Sequence, residues 1–310
     1  GVINIMDQLE KDMLEKIADI HSVPEGAYNI RSNGKLESRN TTANIDIVTK
    51  KDKPGIDIII KPHTKNESVH IPVILSQSGL NDMVYNDFYI GEGADVVIVA
   101  GCGIHNCGTD TSEHDGIHTF FIGKDAKVKY IEKHYGEGDG TGEKILNPTT
   151  IVHIDEGGYM EMETTQIKGV DSTIRDTSAD LKDGATLVIR EKIMTHGNQT
   201  AETNFKVELN GEDSSANVIS RSVAKGNSRQ VYNSRICGNN KCYGHTECDA
   251  ILMDNGKVNA IPALEANDLD ASLIHEAAIG KIAGEQLIKL MTLGLTEKEA
   301  EEQIVNGFMK

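Results

Sequence analysis

Three stretches of the chain gather side chains that could do chemistry. "GCGIHNCGTDTSEHDGIH", from Gly101 to His118, holds Cys102, His105, Cys107, His114 and His118. "CGNNKCYGHTEC" holds Cys237, Cys242, His245 and Cys248, and "SLIHEAAIGKI" sets His275 beside Glu276. Thiolates and imidazoles at this density suit zinc or iron. The spacings match no closed zinc finger and no CxxC site. "HEAAI" is not the HExxH of a zinc protease, because position 279 is Ile. On a strand, His275 and Glu276 would point to opposite faces. The structural alternatives are inward polar residues for the first stretch, buried free thiols for the second, and a capping His with a surface Glu for the third. "GEGDGTGEK" places Lys144 outside a P-loop frame, and no other stretch offers a Walker-type lysine. The chain is therefore not expected to hydrolyse ATP itself.

These groups must be positioned by a mostly β framework. Ile3, Met6, Leu9, Met13, Ile17 and Ile20 form one helical stripe that stops at Pro24 and Gly26. From about 43 to 265 the period changes to two, as in "GIDIIIKPH", "DVVIVAG" and "ATLVIREKI". A Gly/Asp-rich turn followed by a small residue recurs about every 30 residues, at Ala94, Ala126, Gly158, Ala185 and Ala216. That recurrence predicts a solenoid with stacked strands, with a regular β-sandwich as the alternative. Beyond residue 277 the helical period returns. "TEKEAEEQIVNGFMK" opens with Thr296 and Glu299 at capping-box spacing, and the short Leu293–Leu295 link predicts a helical hairpin.

Composition narrows the function. The net charge of −17, from 48 acidic and 31 basic residues, opposes binding to phosphate backbones and anionic lipid. No apolar run reaches the roughly 18 residues of a membrane span, and no signal peptide is evident. The expectation is a cytoplasmic protein with no nucleic-acid or membrane partner, its five cysteines reduced. Aromatics at 4% leave the core to Val, Ile, Leu and Ala, and argue against a sugar-binding β-helix enzyme.

The last third adds a resemblance. "SRSVAKGNSRQVY", "GHTECDAIL", "AIPALEA", "SLIHEAAIGKIAGEQL" and "GLTEKEAEEQIVNGF" occur in order over about residues 216–310. Together they resemble the SufB/SufD family, scaffold subunits of the SUF iron–sulfur assembly machinery, and the chain is similar to its short SufB-like members. The resemblance implies a right-handed parallel β-helix with a C-terminal helical subdomain; with the periodicity, the expected division is an N-terminal helix and linker over 1–42, the β-helix over 43–265 and the helical subdomain over 266–310. It implies that Cys248, in "TECDA", is a cluster-assembly residue and that His275 and Glu276 are further ligands. It implies a SufC-type ABC ATPase docking on the terminal helices, here around Leu290, Leu293, Ile304 and Phe308. A cysteine desulfurase or other sulfur donor would supply sulfur, and a lone short member would pair with itself as a homodimer. The cargo would be a transient iron–sulfur cluster.

The "GCGIHNC…HDGIH" stretch, Cys237 and Cys242 have no counterpart in the resemblance. Cys102, Cys107 and Cys237 therefore stay open as first acceptors of sulfur. The competing expectation is a zinc-binding structural partner of the ATPase that carries no cluster, with Cys102, Cys107 and the nearby histidines, His105 among them, as its site. Cys242, beside the turn-like "GNNK", is expected to be exposed.

Overall fold

The structure, a computed structural model, describes residues 7–18, 20 and 24–310. Ile3 and Met6 of the expected helical stripe lie outside the described residues. The chain winds into a parallel β-solenoid of about eight turns made of two facing sheets. One sheet begins at the antiparallel pair Ala27–Ser32 and Lys35–Asn40. It continues through Lys65–Leu75, Asp95–His105, Lys127–Glu137, Tyr159–Lys168, Thr186–Thr195, Ser214–Ala224 and Cys242–Leu252 to Ala271–Gly280. The other runs from Ile45–Thr49 through Asn81–Ile90, Ser112–Ile122, Ser172–Leu181 and Arg229–Gly238 to Lys257–Ala266. The first sheet carries strands from Ala27 to Gly280, and the second from Ile45 to Ala266.

The turn repeat explains why the strands stack. Ala94, Ala126, Gly158 and Ala185 occupy equivalent positions just before paired strands, and all are buried. The next equivalent position is Ser214 rather than Ala216, because Thr186 pairs with Ser215. The residue before each small one is left-handed: Gly93, Asp125, Gly157, Gly184 and Asp213, with φ of 56–67°. Glycine or aspartate tolerates that conformation, which turns the chain from one sheet to the other. Between the sheets lie the alternate inward side chains, Ile, Val and Leu for the most part. Three of the few rings meet in the core, where Phe88 stacks on Phe120 at 4.3 Å and Tyr130 meets Phe120 edge-on, and Phe205 lies against Tyr232 further along.

The helix Gln8–Ala18 lies across the outside of the strand Asp95–His105. A Cβ at Gly101 would come within 2.6 Å of the Ile17 carbonyl oxygen, and one at Gly103 within 2.5 Å of Met13 Cε. The glycines of "GCG" thus let the helix approach the sheet, while Cys102 between them faces inward. At the other end, Thr296 caps the helix Glu297–Phe308 in a full capping box. That helix packs Val305 and Met309 against Val223, together with Phe308. The preceding helix, Gly284–Met291, buries no residue. No helix among the described residues is long and apolar enough to cross a membrane, a statement that does not bear on strands.

Candidate functional site

Period-two alternation decides where the C-terminal ligands point. In Cys242–Leu252, Thr246, Cys248 and Ala250 face the interior while His245, Glu247 and Asp249 face out. In the last strand, Ala271–Gly280, His275 lies opposite Thr246, Glu276 opposite Glu247, and Ala277 opposite Cys248. Cys248 and His275 therefore share the inner side of adjacent strands, and Glu276 stands on the outer side. The expected set of Cys248, His275 and Glu276 is split by the sheet. Glu276 instead joins His245, whose Nε2 is 3.3 Å from its Oε2, and Glu247. Donor atoms of these three lie within 4.8 Å of one another, the only such group among the described residues. Sequence reasoning missed Glu247; the available signal was the 29-residue step from Glu247 to Glu276, one turn of the solenoid.

The end of the solenoid is open. The strands Lys257–Ala266 and Ala271–Gly280 each lack a neighbour on one side, and most of their residues are exposed. Ile261, Leu264, Leu269, Ile274 and Ile279 all stand in the open there. Cys248 lies one strand in and is 1% exposed. Burial, then the charges of Glu191 and Asp249, push its thiol up to about 12. Burial pushes the His275 imidazole down, so it offers a lone pair, and its Nδ1 has no partner.

The Cys102–His118 stretch is divided as well. Cys102 is 3% exposed, and burial with Asp82 and Glu132 nearby holds its thiol well up. Cys107 is exposed, its Sγ 2.8 Å from His105 Nε2, and His105 Nδ1 is 3.3 Å from Glu137. These three do not form one ligand group. His114 and His118, two strand steps either side of Gly116, turn inward with Glu132 and His134, which sequence reasoning did not single out.

The remaining candidates fall as follows. Cys237 is 3% exposed, and its Sγ donates to Glu265 at 3.2 Å, beside the Arg235–Glu265 ion pair. Cys242 is buried in the main core at 7% exposure, which corrects its expected place at an exposed turn: its position starts a strand whose first side chain faces in. On the hairpin Leu293 is exposed, while Leu290, Ile304 and Phe308 are half-buried and Phe308 packs on the solenoid. Ile288 and Met291 are exposed apolar neighbours that the sequence reading left out.

Comparison with known proteins bears on this arrangement. The family described as "SUF system FeS cluster assembly, SufBD core domain" matches residues 77–308, which takes in Cys248, the last strand and the helical hairpin. An iron-sulfur cluster assembly SufBD family protein of Archaeoglobus fulgidus is 33% identical over 229 residues, 73% of this chain and 60% of that protein. One of Methanocaldococcus jannaschii is 30% identical over 255 residues, 81% of this chain and 79% of that protein. One of Pyrococcus horikoshii is 25% identical over 297 residues, 95% of this chain and 84% of that protein. The chain thus spans less than two thirds of the Archaeoglobus relative and more of the other two. With the family match running through the solenoid to the hairpin, the chain belongs to the SufBD family of SUF-system iron–sulfur cluster assembly proteins.

Proposed function

We propose that the chain is a scaffold on which an iron–sulfur cluster is built and from which it is handed on. The observation that carries this reading is the placement of Cys248 and His275 on the inner side of the last two strands of one sheet. One thiol and one imidazole are an incomplete ligand set, and such a set holds a cluster less firmly than four thiolates would. That suits a protein that must release its cargo. The remaining ligands would come from a second copy docked on the open edge, giving a homodimer with the cluster at its interface. Open strand edges with exposed apolar side chains favour such pairing. Glu276, with His245 and Glu247 on the outer side, is a place where iron could wait before it enters.

The Cys248 thiol must lose its proton to bind iron, so loading releases a proton and weakens as pH falls. Of Cys102, Cys107 and Cys237, Cys107 is the exposed one and the candidate to meet a cysteine desulfurase or other sulfur donor. A SufC-type ABC ATPase would dock on the hairpin, around Ile288, Met291 and Leu293 with Leu290 at their edge. Five unpaired cysteines support a reducing cytoplasmic location. The test is anaerobic reconstitution of the full chain with iron and sulfide. Visible sulfide-to-iron absorbance with matched iron and sulfide content supports the scaffold. Zinc alone, with no such absorbance, refutes it in favour of a structural metal protein.

A further inference from the structure

We propose that the interior of the solenoid holds a second, resident metal site: one divalent cation of borderline softness, Zn²⁺ or Fe²⁺, bound by His114, His118 and His134. A small, partly open cavity of about 20 Å³ lies between the sheets here, lined by these three imidazoles with Cys102, Gly116 and Glu132. That volume admits one water-sized or ion-sized guest.

The hydrogen bonds engage one nitrogen each of His114 and His134 and leave the other free, while His118 uses both, its Nε2 accepting from an amide that a cation would have to displace. His114 Nδ1 is 3.1 Å from Asp82 Oδ2, and Arg31 holds that carboxylate from the other side. The Tyr130 hydroxyl donates to Glu132 at 2.9 Å, so it accepts from His118 Nδ1, also at 2.9 Å. His118 Nε2 then carries a lone pair, met only by the Asn86 amide at 3.3 Å. His134 gives its Nε2–H to Glu132, and its buried Nδ1 has no partner at all. His134 is 7% exposed.

A carboxylate or a carboxylate-bound hydroxyl behind each imidazole is how proteins orient histidines toward metals, because it fixes the tautomer and raises ligand basicity. Imidazole suits zinc and iron, and the two carboxylates nearby favour a cation. The open space between His114 and His118 is set by Gly116. A Cβ built there would lie 3.3 Å from His114 Nε2 and 3.5 Å from His118 Nε2, so both nitrogens border one small volume. Three such donors do not yet stand within 4.8 Å of one another, and a cation would draw them inward.

The site is independent of the cluster reading, since Cys248 takes no part in it. The test uses Co²⁺ as a visible probe on the full chain, with Glu247→Gln and Glu276→Gln present to remove the outer group. One Co²⁺ per chain, with ligand-field bands and histidine scattering in X-ray absorption, is expected. His114→Gln and His118→Gln should each weaken binding about ten-fold or more. Gly116→Ala keeps every ligand but fills the volume, and it should weaken binding similarly while the circular dichroism stays unchanged. It decides the matter if a histidine variant fails to fold. Cys248→Ala should leave Co²⁺ binding intact. No Co²⁺ uptake in the Gln/Gln background, or uptake indifferent to Gly116→Ala, overturns the proposal.

Discussion

The two histidine- and cysteine-bearing regions read alike as sequence, yet the fold treats them in opposite ways. The interior set around His114, His118 and His134 is buried between two sheets; carboxylates back His114 and His134, and the Glu132-bound Tyr130 hydroxyl backs His118. The set around Cys248 and His275 lies at an unfinished edge, with a thiol behind the last strand and no carboxylate bound to His275 Nδ1. Closure with fixed orientation suits an ion that stays. An open edge with too few ligands suits a cargo that arrives and leaves. Ligand type alone does not separate a resident site from a delivery site; the state of the surrounding sheet does.

If the open end is where partners act, changes there should abolish association and leave the closed region untouched. Ile288→Asp with Leu293→Asp, both at exposed positions, should eliminate co-purification of the ATPase without altering the far-ultraviolet circular dichroism. Undiminished capture would remove the hairpin from the account. Ile261→Glu with Leu264→Glu on the last outer strand should turn a dimer into a monomer by light scattering. A wild-type chain that is already a stable monomer at micromolar concentration would break the comparison.

Thiol reactivity sharpens it further. Cys107, exposed beside His105, should be alkylated first by iodoacetamide in the native chain, and Cys107→Ser should remove that fast phase. Cys248, with its thiol near 12, should gain little reactivity between pH 7 and 9. The sign follows from linkage. Its folded pKa exceeds that of a free thiol, about 8.5, so the stability tied to the neutral thiol is complete below that pH and declines as pH climbs toward 12. Rapid alkylation of Cys248 at pH 7 would show that the edge does not shield it. The smallest effect belongs to Cys242→Ala, which empties a core position and should cost about 1 kcal/mol by chemical denaturation. The cluster should survive it.

Much of this was legible from local pattern. Period-two strands, the turn repeat near every 30 residues and the Thr296 capping box all rest on residues close in sequence, and the structure has them. The direction of a side chain was also accessible: the alternation rule separates His275 from Glu276, and it does so in the sheet. Which residues meet across turns was harder. Asp82 reaches His114 and Asn86 reaches His118 at one-turn steps of 32 residues, but a break at Pro148 and turns of unequal length blur that step elsewhere. A two-residue error at Ala216 arose in this way, because Ser214 is small enough to take the same place. Cys242 was misjudged because proximity to a turn says nothing about which face the first strand residue takes. The glycines of "GCG" went unread in the sequence, and they serve the packing of the N-terminal helix.

The central claim is that the nascent cluster is held at the open end through Cys248 and not through the interior thiol of Cys102. Parallel anaerobic reconstitution of Cys248→Ala and Cys102→Ala tests it most directly. Each truncation should leave the chain folded, at a cost of about 1–2 kcal/mol. The account predicts that Cys248→Ala loses the iron–sulfur absorbance and bound sulfide while Cys102→Ala keeps both. A folded Cys248→Ala chain that carries a full complement of iron and sulfide would contradict it.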